Sequence, residues 1–147
     1  RLESAAELIA EVRKAGIRSL VGHHRRHHLQ VKALKQLLAQ GRIGDVVGVS
    51  AIWATHKPED YFKAAPWRSQ AGGGPILINL IHEIDFMRFA VGEIVAVSAL
   101  ASNRQRGFAV EDTAAALVEF ENGALGTTSV DKGYGLVDVV AAARAVR

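Results

Sequence analysis

His82 and Asn79 lie three residues apart near the start of an apolar run, Pro75 to Val91, that follows Gly72-Gly73-Gly74. The ordinary histidine pKa lies nearest neutrality, so an imidazole gives or takes a proton at working pH. Near a helix N-terminus its neutral, proton-accepting form is favoured. Glycines permit a tight turn and a close approach to another surface. Pro75 suits a first helical position, because its missing N–H would be unpaired there anyway. A glycine hinge that delivers a histidine from the start of a buried helix makes His82 the candidate acid–base. Asn79 is then a ligand for substrate or for the imidazole. The bland alternatives are a core histidine bonded to a carbonyl and a local helix-start hydrogen bond from Asn79. Trp67 and Arg68, just before the hinge, offer a flat apolar face and a rigid donor fork suited to a phosphate or carboxylate. Tyr61 and Lys57 share that loop and have the reach for hydroxyls or a carboxylate.

A second cluster is His23-His24-Arg25-Arg26-His27-His28. Spacing of four would stack His23 on His27, or His24 on His28, and imidazoles suit zinc or nickel. The intervening arginines oppose a cation and no carboxylate lies within the cluster, so no native metal site is expected. His82-Glu83-Ile84-Asp85 lacks the second histidine of a metalloprotease helix. Asp85 and Arg88, three apart, are expected to form an ion pair. Glu111-Asp112, before the strand expected at 113–121, has the reach to touch substrate, but a carboxylate pair at a loop end is more often solvated.

These residues must be positioned by recognisable elements. Leu2, Ala5, Ala6, Ile9 and Val12 recur at helical spacing and predict a helix over 2–15 that stops at Gly16, followed by a short strand, Ile17 to Val21. Val31, Leu34, Leu37 and Leu38 mark a second helix over 29–40. Strands are expected near 46–55, 94–101, 113–121 and 124–130. Lys57 to Ala71 reads as a loop with one short helical turn, and Pro75–Val91 as a helix ended by Gly92. Asn122-Gly123 is a strong hairpin signal between the last two strands. The fold class expected is α+β: a mostly antiparallel sheet with helices on one face.

The chain has 147 residues, 49% hydrophobic and 22% charged, with no cysteine and a net charge of +3. That length carries a real core, and the composition is ordinary for a globular protein. Lack of cysteine removes disulfides and thiolate metal sites and fits a cytoplasmic location. No apolar run is long enough to span a membrane, and no signal peptide is evident. Basic residues are spread along the chain without interleaved stacking aromatics, so nucleic acid is not the expected partner. Residue 1 is arginine, and the sequence is expected to begin inside a longer chain.

Three stretches together resemble the C-terminal domain of the glucose–fructose oxidoreductase / inositol dehydrogenase / rhizopine-catabolism (Gfo/Idh/MocA) family. They are Trp67 to Asp85 with its triple glycine, Val21-Gly22-His23-His24-Arg25-Arg26, and Val110 to Thr127. They come in family order and cover about residues 2–130. The resemblance implies that residues 1–22 are the last helix and strand of a Rossmann-type nucleotide domain, and that 23–147 form the substrate and oligomerisation domain. It implies a catalytic role for His82, and places His24 and Arg25 on the inter-domain cleft. Trp67 and Arg68 would look toward cofactor and substrate, the cofactor being NAD or NADP. It also implies a homo-oligomer through the open sheet face. Ile78 stands where the family usually has an aspartate four residues before the histidine. The family's catalytic lysine, in a Glu-Lys-Pro, and the Gly-x-Gly-x-x-Gly turn are absent from this sequence. Residues 132–147 depart from the family pattern.

The leading expectation is thus part of an NAD(P)-dependent dehydrogenase acting on a sugar, cyclitol or related polyol, inactive as this chain alone. The alternative is a non-catalytic sugar-binding or oligomerisation module without a nucleotide domain. A histidine-rich metal or nucleic-acid protein is the third.

Overall fold

A computed structural model describes residues 2–132. The elements are helix α1 (Leu2–Ala15), a 3-10 turn (His24–His27), helix α2 (Leu29–Ala39), strand β1 (Gly48–Ala54) and short helix α3 (Glu59–Lys63). A second 3-10 turn (Pro66–Ser69) precedes a wide, π-helical turn (Ile76–Leu80) that runs directly into helix α4 (Ile81–Ala90). Strands β2 (Ile94–Ser102), β3 (Thr113–Phe120) and β4 (Leu125–Asp131) follow.

The four strands form one sheet in the order β1-β4-β3-β2. The β3–β4 hairpin turns at Asn122-Gly123, where the Asn122 side chain accepts the Ala124 N–H at 3.0 Å and Gly123 takes φ 82°. Both β2–β3 and β3–β4 are antiparallel, whereas β1 lies parallel to β4, with Gly48 opposite Leu125 and Ala54 opposite Asp131. The sheet is therefore mixed. That pairing aligns the C-terminal ends of β1 and β4.

Alternation along β3 and β4 buries Ala114, Val118, Phe120, Thr128 and Val130 and leaves Leu117 and Leu125 in solvent. Against the buried face pack Leu80, Ile84 and Met87 of the α4 segment. Met87, Phe120 and Val130 are at most 1% exposed, and burying each such side chain contributes about 1.5–3 kcal/mol. Helix α2 covers α4 from outside, with the Lys35 ammonium 2.6 Å from the Phe89 carbonyl and 4.1 Å from the Phe89 ring centroid.

Two sequence expectations are corrected. Residues Ile17 to Val21 do not form a strand. A strand needs a partner for its backbone N–H and C=O groups, and none of the described strands reaches this segment, which leaves Leu20 and Val21 exposed. Asp85 and Arg88 do not pair. Asp85 is buried and turned toward the His24–His27 turn, while the exposed Arg88 closes on Glu93 at 2.6 Å. The expected divergence of 132–147 falls, from residue 133 onward, outside the described residues.

Candidate functional site

The helix start is built around its glycines. A Cβ on Gly73 would overlap the Trp67 carbonyl and the Arg68 backbone, and one on Gly74 would overlap the Glu111 carboxylate. Only hydrogen in those places lets the 66–69 turn and the β3 entry close on the hinge. Pro75 has no N–H to satisfy, so the first donor of the helix is Ile76. Its N–H donates to Glu111 Oε1 at 3.0 Å, and the carboxylate thereby sits at the positive end of the helix. Glu111, read from sequence as solvated, is thus an N-terminal cap supplied from another element.

The wide turn that follows carries Asn79. The Ile81 N–H donates to the Ile76 carbonyl, five residues back. Turns of this kind shift helical register by one residue and recur at functional sites. His82 comes next, in the first turn of α4. Its Nδ1, and the Asn79 Oδ1, are buried and have no hydrogen-bond partner among the described residues. Trp53 Nε1, at the end of β1, shares that state. Buried polar atoms are rarely left unpaired, so an absent ligand or water is the natural explanation.

Facing this helix is the 3-10 turn. The His24 ring lies 5.1 Å from His82 and the His23 ring 6.2 Å, both edge-on. His23 Nδ1 is 2.8 Å from Asp85 Oδ1. Arg26 donates to the same carboxylate through Nε and Nη2, at 2.6 to 2.9 Å. Arg25 pairs with Glu83 and lies over the Trp53 ring at 5.1 Å. Burial, then the fields of His24, Arg25 and His23, push the His82 imidazole below its ordinary pKa, with Asp85 opposing. Neutral pH therefore leaves it unprotonated and able to accept a proton. The Arg26 hydrogen bonds hold Asp85 below the usual carboxylate range.

The remaining sequence candidates form a second group. Arg68 donates to the Tyr61 carbonyl at 2.6 Å and stacks over the Tyr61 ring at 3.9 Å. Lys57 Nζ lies 4.9 Å from the same ring centroid. Trp67 is 52% exposed and presents its ring outward. So the structure brings His82, Asn79, His24 and Arg25 together, and separately Lys57, Tyr61 and Arg68 with Trp67 beside them. The Trp67–Arg68 turn, packed on Gly73, and Glu111, on Ile76, connect the second group to the start of the helix. Sequence reading did not single out Trp53 or Lys132. Continuing the inward alternation of Thr128 and Val130 two residues past the expected strand end was the signal available for the lysine.

A pyridine nucleotide needs somewhere to place its ring and its phosphates. The exposed Trp67 face suits a planar ring. Arg25 is engaged by Glu83, Arg68 by the Tyr61 carbonyl, and no glycine-rich phosphate turn occurs in the sequence. The residues present thus fit the reacting end of such a cofactor and not its pyrophosphate.

Comparison with known proteins agrees with this architecture. The family model for the GFO/IDH/MocA C-terminal domain matches residues 31–134. The chain is 32% identical over 128 residues to 1,5-anhydro-D-fructose reductase from Ensifer adhaerens, covering 84% of this chain and 38% of that protein. It is 29% identical over 132 residues to myo-inositol 2-dehydrogenase from Thermotoga maritima, covering 85% of this chain and 37% of that one. The WlbA dehydrogenase from Bordetella pertussis, solved in complex with NADH and UDP-GlcNAcA, superposes with a TM-score of 0.81 at 26% identity. That match covers 91% of this chain and 42% of the WlbA chain. The chain thus spans less than half the length of each of these relatives.

Proposed function

Because the chain belongs to the GFO/IDH/MocA family, we propose that it supplies the substrate side of an NAD(P)-dependent dehydrogenase acting on a sugar, cyclitol or related polyol. The observation that carries this reading is the pair of buried, unpartnered atoms, His82 Nδ1 and Asn79 Oδ1, on successive turns of one helix. An unprotonated imidazole nitrogen and an amide oxygen are both acceptors, and a polyol offers neighbouring hydroxyls, each with a proton to donate. The named relatives, an anhydrofructose reductase and an inositol dehydrogenase, act on compounds of that class.

The nicotinamide cofactor, when bound, accepts or returns hydride at the carbon bearing the reacting hydroxyl. His82 accepts the hydroxyl proton in the oxidative direction and returns it in the reverse one. Asn79 accepts from a neighbouring hydroxyl and so fixes the orientation of the ring that carries it. Asp85, by holding His23 and Arg26, keeps the 3-10 turn against the helix. Trp67, with its exposed ring, would border the cofactor ring when it is bound. Residues 1–22 would belong to the nucleotide domain and 23–147 to the substrate domain. The open sheet face, with Ile52, Leu100 and Leu117 exposed, would join copies of the protein. The cysteine-free sequence suits the cytoplasm.

Turnover tests this. The polypeptide carrying this sequence together with a nucleotide domain is assayed by nicotinamide absorbance against a panel of polyols and sugars. His82→Gln is expected to lower kcat by about 10²–10⁴-fold. Full activity in His82→Gln would remove His82 from the chemistry. Ile78, standing in the place of the usual aspartate, favours a second reading: a sugar-binding module without turnover. Calorimetric binding of a polyol with no nicotinamide reduction under any condition would establish it.

A further inference from the structure

Lys132 is the least expected residue in the interior. It is 1% exposed, yet its ammonium has no hydrogen-bond partner among the described residues. An ammonium carries three donors, and leaving them unpaired in the interior is costly. Its surroundings are cationic as well. Lys132 Nζ lies 5.3 Å from the Tyr61 ring centroid, to which Lys57 Nζ and Arg68 Cζ also come, at 4.9 and 3.9 Å. A cation draws on a ring face for stabilisation, and one ring has only two faces to give to three cations. Arg106 adds a fourth positive charge, and its guanidinium is spent on the Lys57 and Lys132 carbonyls at 2.5 and 2.7 Å.

Two carboxylates stand nearby. Glu111 faces Lys132 but already caps Ile76. Asp112 accepts the Arg106 N–H and the Thr113 hydroxyl. Around Lys132 itself three further cations, Lys57, Arg68 and Arg106, face one carboxylate, Glu111. Burial first, then Lys57, Arg68 and Arg106, push the Lys132 amine down to about 8, with Glu111 opposing. There is also room beside the cluster. A cavity of about 670 Å³ is lined by His56, Lys57, Glu59, Phe62, Lys63 and Arg106 among others, with the Glu59 carboxylate paired to Lys63 at 3.2 Å. Tyr61 and Lys57 are half-buried and stand between Lys132 and solvent, so a ligand reaching Lys132 must displace them.

We propose that Lys132, with Lys57 beside it at the Tyr61 ring and Arg68 adding its positive field, is a binding site for an oxyanion, a carboxylate or a phosphate group. An oxyanion supplies the lone pairs the buried ammonium lacks and the negative charge that four cations call for. That the oxyanion belongs to the substrate, making it an acidic or phosphorylated sugar, rests on the dehydrogenase reading above; the anion site itself does not.

The test is calorimetric titration of the chain near its neutral range with D-glucuronate, inorganic phosphate and, as the uncharged control, D-glucose. At least one anion is expected to bind. Glucuronate alone binding marks a sugar acid, and both anions binding marks the bare oxyanion. Lys132→Met is expected to weaken that binding at least tenfold, and Lys57→Met severalfold. Lys132→Met replaces a buried charge by an apolar chain of similar length, and its thermal melt shows whether it folds. Binding should also take up protons at about pH 8, because an anion drives Lys132 to the ammonium form; calorimetry in buffers of different ionisation enthalpy reads this. Absence of binding by both anions, glucose binding as tightly as glucuronate, or unchanged affinity in folded Lys132→Met would overturn the proposal. None of these readouts uses turnover, so failure here leaves the His82 reading to its own assay.

Discussion

Gly74 and Glu111 form a pair whose coupling can be worked out in advance. Gly74 takes an ordinary negative φ, so alanine there meets no backbone strain; what it meets is the Glu111 carboxylate, which supplies the three nearest atoms. Gly74→Ala must therefore expel that carboxylate from the Ile76 N–H. The hydrogen bond lost is charge-assisted and worth about 1.5–3 kcal/mol. The favourable placement at the helix N-terminus adds about 0.3–1 kcal/mol. Against this, alanine restricts the unfolded chain, a gain of about 0.4–1 kcal/mol. Glycine is the better residue at a helix N-cap by a similar amount, so those two effects nearly cancel. Gly74→Ala should then cost about 2 kcal/mol, which for a chain of this size lowers Tm by about 4–8 °C. In a Glu111→Ala background the carboxylate is already gone, and the same substitution should be close to neutral. Glu111→Ala also strips Lys132 of its facing carboxylate, but that cost is common to both proteins in the comparison. Urea unfolding of the wild type, both single variants and the double variant measures the coupling. A Gly74→Ala cost above about 1 kcal/mol in the Glu111→Ala background would show that the glycine answers some other contact.

Three further expectations follow from the same geometry. The His82 imidazole should titrate below its ordinary 6.5 in an NMR pH series; because the unfolded chain binds that proton more readily, His82 subtracts stability as pH falls below 6.5, and a normal titration would remove the argument from burial. Asp85→Asn keeps one oxygen acceptor but removes the negative charge and the second oxygen that serve His23 and Arg26, whose side chains are 29% and 39% exposed. The cost should be about 1–3 kcal/mol, less than for a wholly buried pair, with the wild-type advantage fading at pH below 3.8 as Asp85 protonates. Leu117→Asp on the open sheet face should leave the melting transition nearly unchanged and shift sedimentation toward a smaller species; unaltered sedimentation of an oligomer would place the interface elsewhere.

What the sequence made legible was periodic or punctuated. The alternation in 113–121, the Asn122-Gly123 turn, and the helix beginning at Pro75 all stand within a residue or two of expectation, because each depends on local chemistry. What it hid depends on where chains meet. Ile17 to Val21 has strand composition but no strand, since pairing needs a neighbour that composition cannot supply. Asp85 has Arg88 at pairing distance along its helix, yet His23 and Arg26, some sixty residues away in sequence, take its carboxylate. The β1–β4 parallel pairing spans the whole intervening chain and leaves no local mark. The wide turn at Ile76–Leu80 reads as ordinary helix in sequence, because a single i→i−5 bond changes no composition. Lys132 lies two residues beyond the strand expected to end at Val130, so the expected pattern assigns it no place on the buried face; a charge that breaks the apolar pattern marks where function concentrates.

The same field that weakens His82 as a base serves the reaction proposed for it. Arg25, His23 and His24 lower the imidazole pKa, which by itself reduces the pull on a hydroxyl proton. But a positive field that disfavours protonated histidine favours negative charge on an oxygen placed beside it. As the hydroxyl proton leaves, the developing alkoxide would gain from the groups that cost the imidazolium. The usual aspartate would shift the balance the other way, raising the basicity of the histidine and opposing the alkoxide. Ile78 in that place leaves the site more electropositive. Ile78→Asp should accordingly raise the His82 pKa, by an amount the NMR titration reads directly. If it did so and also raised kcat, base strength would be limiting, and the stabilising field argued here would be the lesser influence.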